Sequence, residues 1–148
     1  MTASSQTAAT AQPSDAGLTA LQPRLSFVAY HVADIDRALG FYVGVLGFKE
    51  HLRFPIGDGV FEAVLGFPDS PGAGLLLMWN TGRSEAYRIG DGYSRLVINV
   101  SDLDAAMAHL ARHDRPIVSA PRQAGAFYFA LVKDPDGYVI ELLQVKRA

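Results

Sequence analysis

Val32-Ala33-Asp34-Ile35-Asp36-Arg37-Ala38 returns 68 residues later as Val100-Ser101-Asp102-Leu103-Asp104-Ala105-Ala106, so V-x-D-(I/L)-D-x-A is written twice. An apolar, strand-like run precedes each copy and an amphipathic, helix-like run follows it. Asp34 and Asp102 suit the N-cap, because a carboxylate accepts from the free amides of the first helical turn. Ile35, Leu39, Tyr42 and Leu46 then form one helical stripe, and Leu103, Ala106, Met107 and Leu110 form the second. Gly47 is a stop for the first helix. A unit seen twice reads as a duplicated supersecondary module, since a solenoid needs roughly three or more.

Outward from the repeat, strands are expected over residues 25–32, 48–54, 61–66 and 74–80. In the second half they fall over 94–100, 117–119, 126–133 and 138–145. Asp134-Pro135-Asp136-Gly137 joins the last two as a tight turn, Pro presetting φ and Gly permitting φ > 0. Each half is βαβββ. The pattern predicts an α+β fold, two such modules forming a curved sheet around a shared groove. The modules span about residues 25–80 and 91–146, within one domain of residues 24–148. Residues 1–23 are rich in Ala, Thr, Ser, Gln and Pro, with Asp15 the only charge, and are expected to be a disordered tail without a secretory signal.

The chain has 148 residues, 49% hydrophobic and 19% charged, an ordinary balance for one globular domain. A formal charge of −2 without a basic stripe argues against nucleic acid or an anionic membrane as partner. No run approaches the length of a membrane span. The absence of cysteine removes disulfides, thiol nucleophiles and thiolate metal sites, and is compatible with a cytoplasmic location.

Alternation assigns the strand faces. Leu96, Ile98 and Val100 form a wholly apolar face, expected under a helix. Tyr93, Arg95, Val97 and Asn99 form a mixed face, expected to line the groove. Leu25, Phe27, Ala29 and His31 are its equivalents in the first half. Glu141 is a carboxylate in an otherwise apolar strand, so it needs a partner or a task.

With Val45-Leu46-Gly47-Phe48 after the first helix and Asp134-Pro135-Asp136-Gly137-Tyr138-Val139-Ile140-Glu141-Leu142 near the end, residues 25 to 146 resemble the vicinal-oxygen-chelate superfamily. That family includes glyoxalase I, fosfomycin- and bleomycin-resistance proteins and extradiol dioxygenases. The motifs are specific for the fold and weak for activity, because many chemistries share it. In metal-using members the ligands come from the first and last strands of each module. The resemblance maps those places onto Phe27, Leu76, Arg95 and Glu141. Phe and Leu carry no donor atom, and a guanidinium has no acceptor, so no metal and no cofactor are expected. The resemblance also matches His31 and Asn80 with positions that contact glutathione in glyoxalase I.

Arg95 and Glu141 read first as a structural ion pair in the vacated metal site, and second as a catalytic pair with His31 as a further candidate. Phe27, Met78, Phe127, Phe129 and Leu131 are candidates for an apolar cavity wall, with Asn80, Tyr93 and Asn99 as polar ligand contacts. Asn80 also suits a strand-end turn. His109 and His113 read as surface residues, His51 shows no partner, and Trp79 and Tyr138 read as core. Three activities are open. The favoured one is bleomycin-resistance-type binding or sequestration of a small, largely apolar molecule over a degenerate metal site. The second is a metal-independent lyase, isomerase or cyclase using Arg95 and Glu141. The third is a metal-dependent glyoxalase-type lyase. A homodimer is expected, because small modules leave sheet edges and apolar surface for a second copy to cover.

Overall fold

The computed structural model describes residues 17–70 and 72–146. Most of the expected tail lies outside the described residues; within them Thr19–Leu21 form one exposed 3-10 turn.

Both aspartates of the repeat open helices. Asp34 is in an extended conformation and its side chain accepts from Arg37 N at 3.0 Å, starting α1 (Ile35–Tyr42). Asp102 accepts from Ala105 N at 2.9 Å, starting α2 (Leu103–Ala111). β1 (Phe27–His31) precedes α1, and β2 (Lys49–Gly57), β3 (Val60–Gly66) and β4 (Gly74–Asn80) follow it. The second module has β5 (Leu96–Asn99), α2, β6 (Ile117–Ala124), β7 (Phe127–Lys133) and β8 (Val139–Val145). The sheets are ordered β1-β4-β3-β2 and β5-β8-β7-β6, with only the first pair of each parallel. The repeat holds to single bonds: Val32 N donates to Met78 O and Val100 N to Leu143 O, each at 2.8 Å. Two βαβββ modules are therefore present, as the repeat predicts.

Four details differ from the pattern read from sequence. The buried face of α1 is Ile35, Ala38, Phe41 and Tyr42, whereas Leu39 is half-buried and Leu46, also half-buried, lies beyond the end of the helix. β2 and β6 run further than expected, through Pro55 and past Pro121. Both are edge strands, where a missing amide goes unmissed, and β6 has a register shift between Ser119 and Arg122. β5 is shorter, beginning only at Leu96.

The core is what alternation puts beneath the helices. Tyr30, Val32, Leu75 and Leu77 pack with the α1 face, and Ile98, Val132, Ile140 and Leu142 with Leu103, Met107 and Leu110. Each large side chain removed from water contributes about 1.5–3 kcal/mol, so these faces fix which side of each sheet stays open. Among the described residues no helix is long and apolar enough to cross a membrane.

Candidate active site

The open face of the second sheet is built by register. Val97 and Leu131 flank Glu141, Phe129 lies opposite Leu143, and Arg122 and Ala124 lie opposite Phe129 and Phe127. With Arg95, just before β5, these side chains enclose a cavity of about 500 Å3 lined by Arg95, Arg122, Phe127, Phe129, Leu131 and Glu141, with Ala124 and Leu143 completing it. Arg95 Nε donates to Glu141 Oε2 at 2.5 Å, and Arg95 Nη1 donates to Ser94 Oγ at 3.1 Å. The Glu141 side chain is 11% exposed and that of Arg95 44%, so the carboxylate sits at the floor and the guanidinium reaches the rim. Arg122 lies over the Phe129 ring, 5.5 Å from its centroid.

Of the residues singled out from sequence, Arg95, Glu141, Phe127, Phe129 and Leu131 therefore meet at one cavity. The others go elsewhere. Phe27 lines a separate cleft with Arg24, His51 and Val64. Leu76 lies opposite Ala29 and Val64 within the first sheet, and Met78 opposite His31 and Glu62. The His31 ring stacks on Tyr87 at 4.7 Å. Asn80 Oδ1 accepts from Gly82 N at 2.9 Å, the turn role. Tyr93 donates to Val139 O at 2.8 Å and packs edge-on against Tyr138. Asn99 lines a cleft between the modules with Val45, Phe67 and His109. His109 is not a free surface residue, because its Nε2–H donates to Val45 O at 2.8 Å, bridging α2 to the end of α1.

Sequence reasoning missed two things. Arg122 lies beyond Pro121 and outside the strand expected over 117–119; its alternation with Ala124, opposite Phe129 and Phe127, is the available signal. The second is the buried joint between modules. Tyr30 OH donates to Tyr42 OH at 2.5 Å, and Tyr42 OH donates to Asp134 Oδ2 at 2.8 Å. Asp134 Oδ1 accepts from the amides of Asp136 and Tyr138. Asp136 accepts from Ala33 N at 2.9 Å, and Tyr138 OH donates to His31 O at 2.8 Å. The last hairpin turn thus pins the second module to the β1–α1 corner of the first. Burial raises the Asp134 pKa above its ordinary value, with the Tyr42 hydroxyl and Tyr138 amide partly offsetting it. Burial likewise pushes the hydroxyls of Tyr30 and Tyr42 up.

The Glyoxalase/Bleomycin resistance protein/Dioxygenase superfamily profile matches residues 24–142. The chain belongs to this superfamily. A lactoylglutathione lyase of Neisseria meningitidis serogroup A is 31% identical over 126 residues, covering 83% of this chain and 91% of the relative. The trypanothione-dependent glyoxalase I of Leishmania major is 32% identical with a TM-score of 0.71, over 82% of this chain and 86% of that one. An antibiotic-binding protein from a Streptomyces species is 24% identical with a TM-score of 0.68, over 84% of this chain and 97% of that one, and shows the fold alone.

These findings overturn the expectation that this superfamily member is a binding or sequestration protein of the bleomycin-resistance type. Relatives named as lyases match at higher identity across most of their length, whereas the binding protein shares only the fold. The apolar cup, the small size and the lost metal ligands favour that expectation, and none of them excludes proton transfer by other groups.

A divalent cation of the kind glyoxalase-superfamily enzymes use does not fit the residues at its expected place. Only Glu141 among Phe27, Leu76, Arg95 and Glu141 carries an anionic donor, and it is engaged by a guanidinium. Among the described residues no cluster of three His, Cys, Asp or Glu side chains could hold one.

Proposed function

We propose that this chain is a lyase of the glyoxalase I type, working on a small molecule in the second-module cup. The observation that carries the reading is the 31% identity with a lactoylglutathione lyase across 83% of the chain. Interconverting a lactoyl thioester with a thiol and a 2-oxoaldehyde requires a proton to move between adjacent carbons, one bearing a carbonyl. Such a step needs a base within hydrogen-bond reach and positive charge beside the carbonyl oxygen. Glu141 is the proton-moving group in this reading. Its Oε2 is held by Arg95, and its Oε1 has no partner among the described residues. Arg95 positions that carboxylate, and its Nη2, also unpartnered among the described residues, is placed to steady charge on the oxygen.

The reading includes a homodimer. Phe27, Val28, Leu52 and Val97 are 43–57% exposed and apolar, surface that a second copy would cover. The test is formation of S-lactoylglutathione from glutathione and 2-oxopropanal, followed as gain of the thioester absorbance, by the wild type and by Glu141→Gln. Wild-type turnover reduced about a hundredfold or more in the variant is expected. No thioester formation by the wild type from mixtures of a thiol and a 2-oxoaldehyde would sink the reading.

A further inference from the structure

We propose that the cup selects an organic monoanion, a carboxylate on an aromatic or branched hydrocarbon body, and that Arg95 and Arg122 together hold its charged end. The inference rests on the cup being the substrate site and adds the class of molecule it admits. Two guanidinium groups and one carboxylate line the same cavity, so its wall carries one uncompensated positive charge. Arg95 spends its Nε on Glu141, leaving its Nη2 without a partner among the described residues. The Arg122 side chain has no ion pair or hydrogen bond among the described residues and lies over the Phe129 ring. A free guanidinium is a planar fork suited to a carboxylate, and it keeps its charge at any working pH.

The remaining wall sets the body of the ligand. Phe127, Phe129, Leu131 and Leu143 offer rings and branched aliphatic groups and no hydrogen-bond donors from their side chains. Phe127 is 52% exposed, so a ligand covering it gains burial that the free protein lacks. A cavity of about 500 Å3 falls in the range of small-molecule sites. A dianion would exceed the single available charge. The guanidinium of Arg95 thus orients a negative ligand beside Glu141.

The test is calorimetric binding to the full chain of phenylacetate and 4-phenylbutyrate, each beside its neutral amide, and of phenyl phosphate. Both carboxylates should bind, their amides about tenfold or more weakly, and phenyl phosphate no more tightly than phenylacetate. Arg122→Met, at an exposed position without ion pairs, should keep the wild-type melting temperature and lose about tenfold in carboxylate affinity; Arg122→Glu should lose more. Equal affinity for acid and amide, no binding of either acid at millimolar concentration, or unchanged affinity in Arg122→Met would overturn the inference. Carboxylate binding without formation of S-lactoylglutathione would sink only the lyase reading. Turnover that carboxylates neither inhibit nor accompany by binding would sink only this one.

Discussion

Replacing Arg95 by Met should destabilise the fold by about 2–3 kcal/mol, although the side chain is nearly half exposed. The reasoning starts from the asymmetry of the pair, 44% exposure for Arg95 against 11% for Glu141, at 2.5 Å. Exposed ion pairs contribute about 0–1 kcal/mol, whereas breaking a buried one costs about 3–5 kcal/mol because a charge is left unpaired. Losing Arg95 strands the carboxylate between Val97 and Leu131, so the cost lies toward the buried limit, discounted for the solvated guanidinium. Losing Glu141 strands only a guanidinium that can turn to water, so Glu141→Met should cost about 1 kcal/mol. The double variant has no charge to strand and should also stay within about 1 kcal/mol of the wild type. The cycle therefore predicts a coupling of about 2 kcal/mol. Urea denaturation at neutral pH on all four proteins, with m-values compared, measures it. Additivity within about 0.5 kcal/mol, or Glu141→Met costing more than Arg95→Met, would refute the argument.

Tyr42→Phe removes the hydroxyl shared by Tyr30 and Asp134 and should cost about 2–4 kcal/mol by denaturation, because a buried donor and a buried acceptor both lose their partner. Tyr30→Phe leaves the Tyr42–Asp134 bond intact and should cost about 1 kcal/mol. Asp134 carries a pH signature. Its folded pKa is raised, so its contribution to stability is full below the ordinary carboxylate value and is lost as pH rises through the raised one. Denaturation across the acid range should show that loss in the wild type and not in Asp134→Asn. Exhaustive dialysis against EDTA, followed by added zinc, nickel or manganese, should leave the melting temperature unchanged within about 1 °C, since the donor set at the expected metal place does not fit a cation. A rise of several degrees with any of the three would show a site built from other residues.

The repeat alone determined the modular plan. Capping aspartates and strand alternation are local, and a pattern of period two or 3.6 survives in one dimension. That is why both helix starts and the mixed face carrying Arg95 and Glu141 could be read from the order of residues. The meeting of Arg95 and Glu141 was also legible, because a lone carboxylate on an apolar strand demands a partner. Tertiary structure alone decided the rest. It gave the cavity to the second module, seating Phe27 at another cleft and tying Asn80 and Tyr93 into turn and core. It placed Arg122 at the cup through an edge strand whose Pro121 hides it from any strand pattern. It turned Asp134, which in sequence is only a turn residue, into the buried acceptor that joins the two halves. The sequence specifies which face each side chain takes along its own strand. Which faces then come together depends on sheet order, edge register and the docking of one module on the other, and those are set by packing between residues about 100 positions apart.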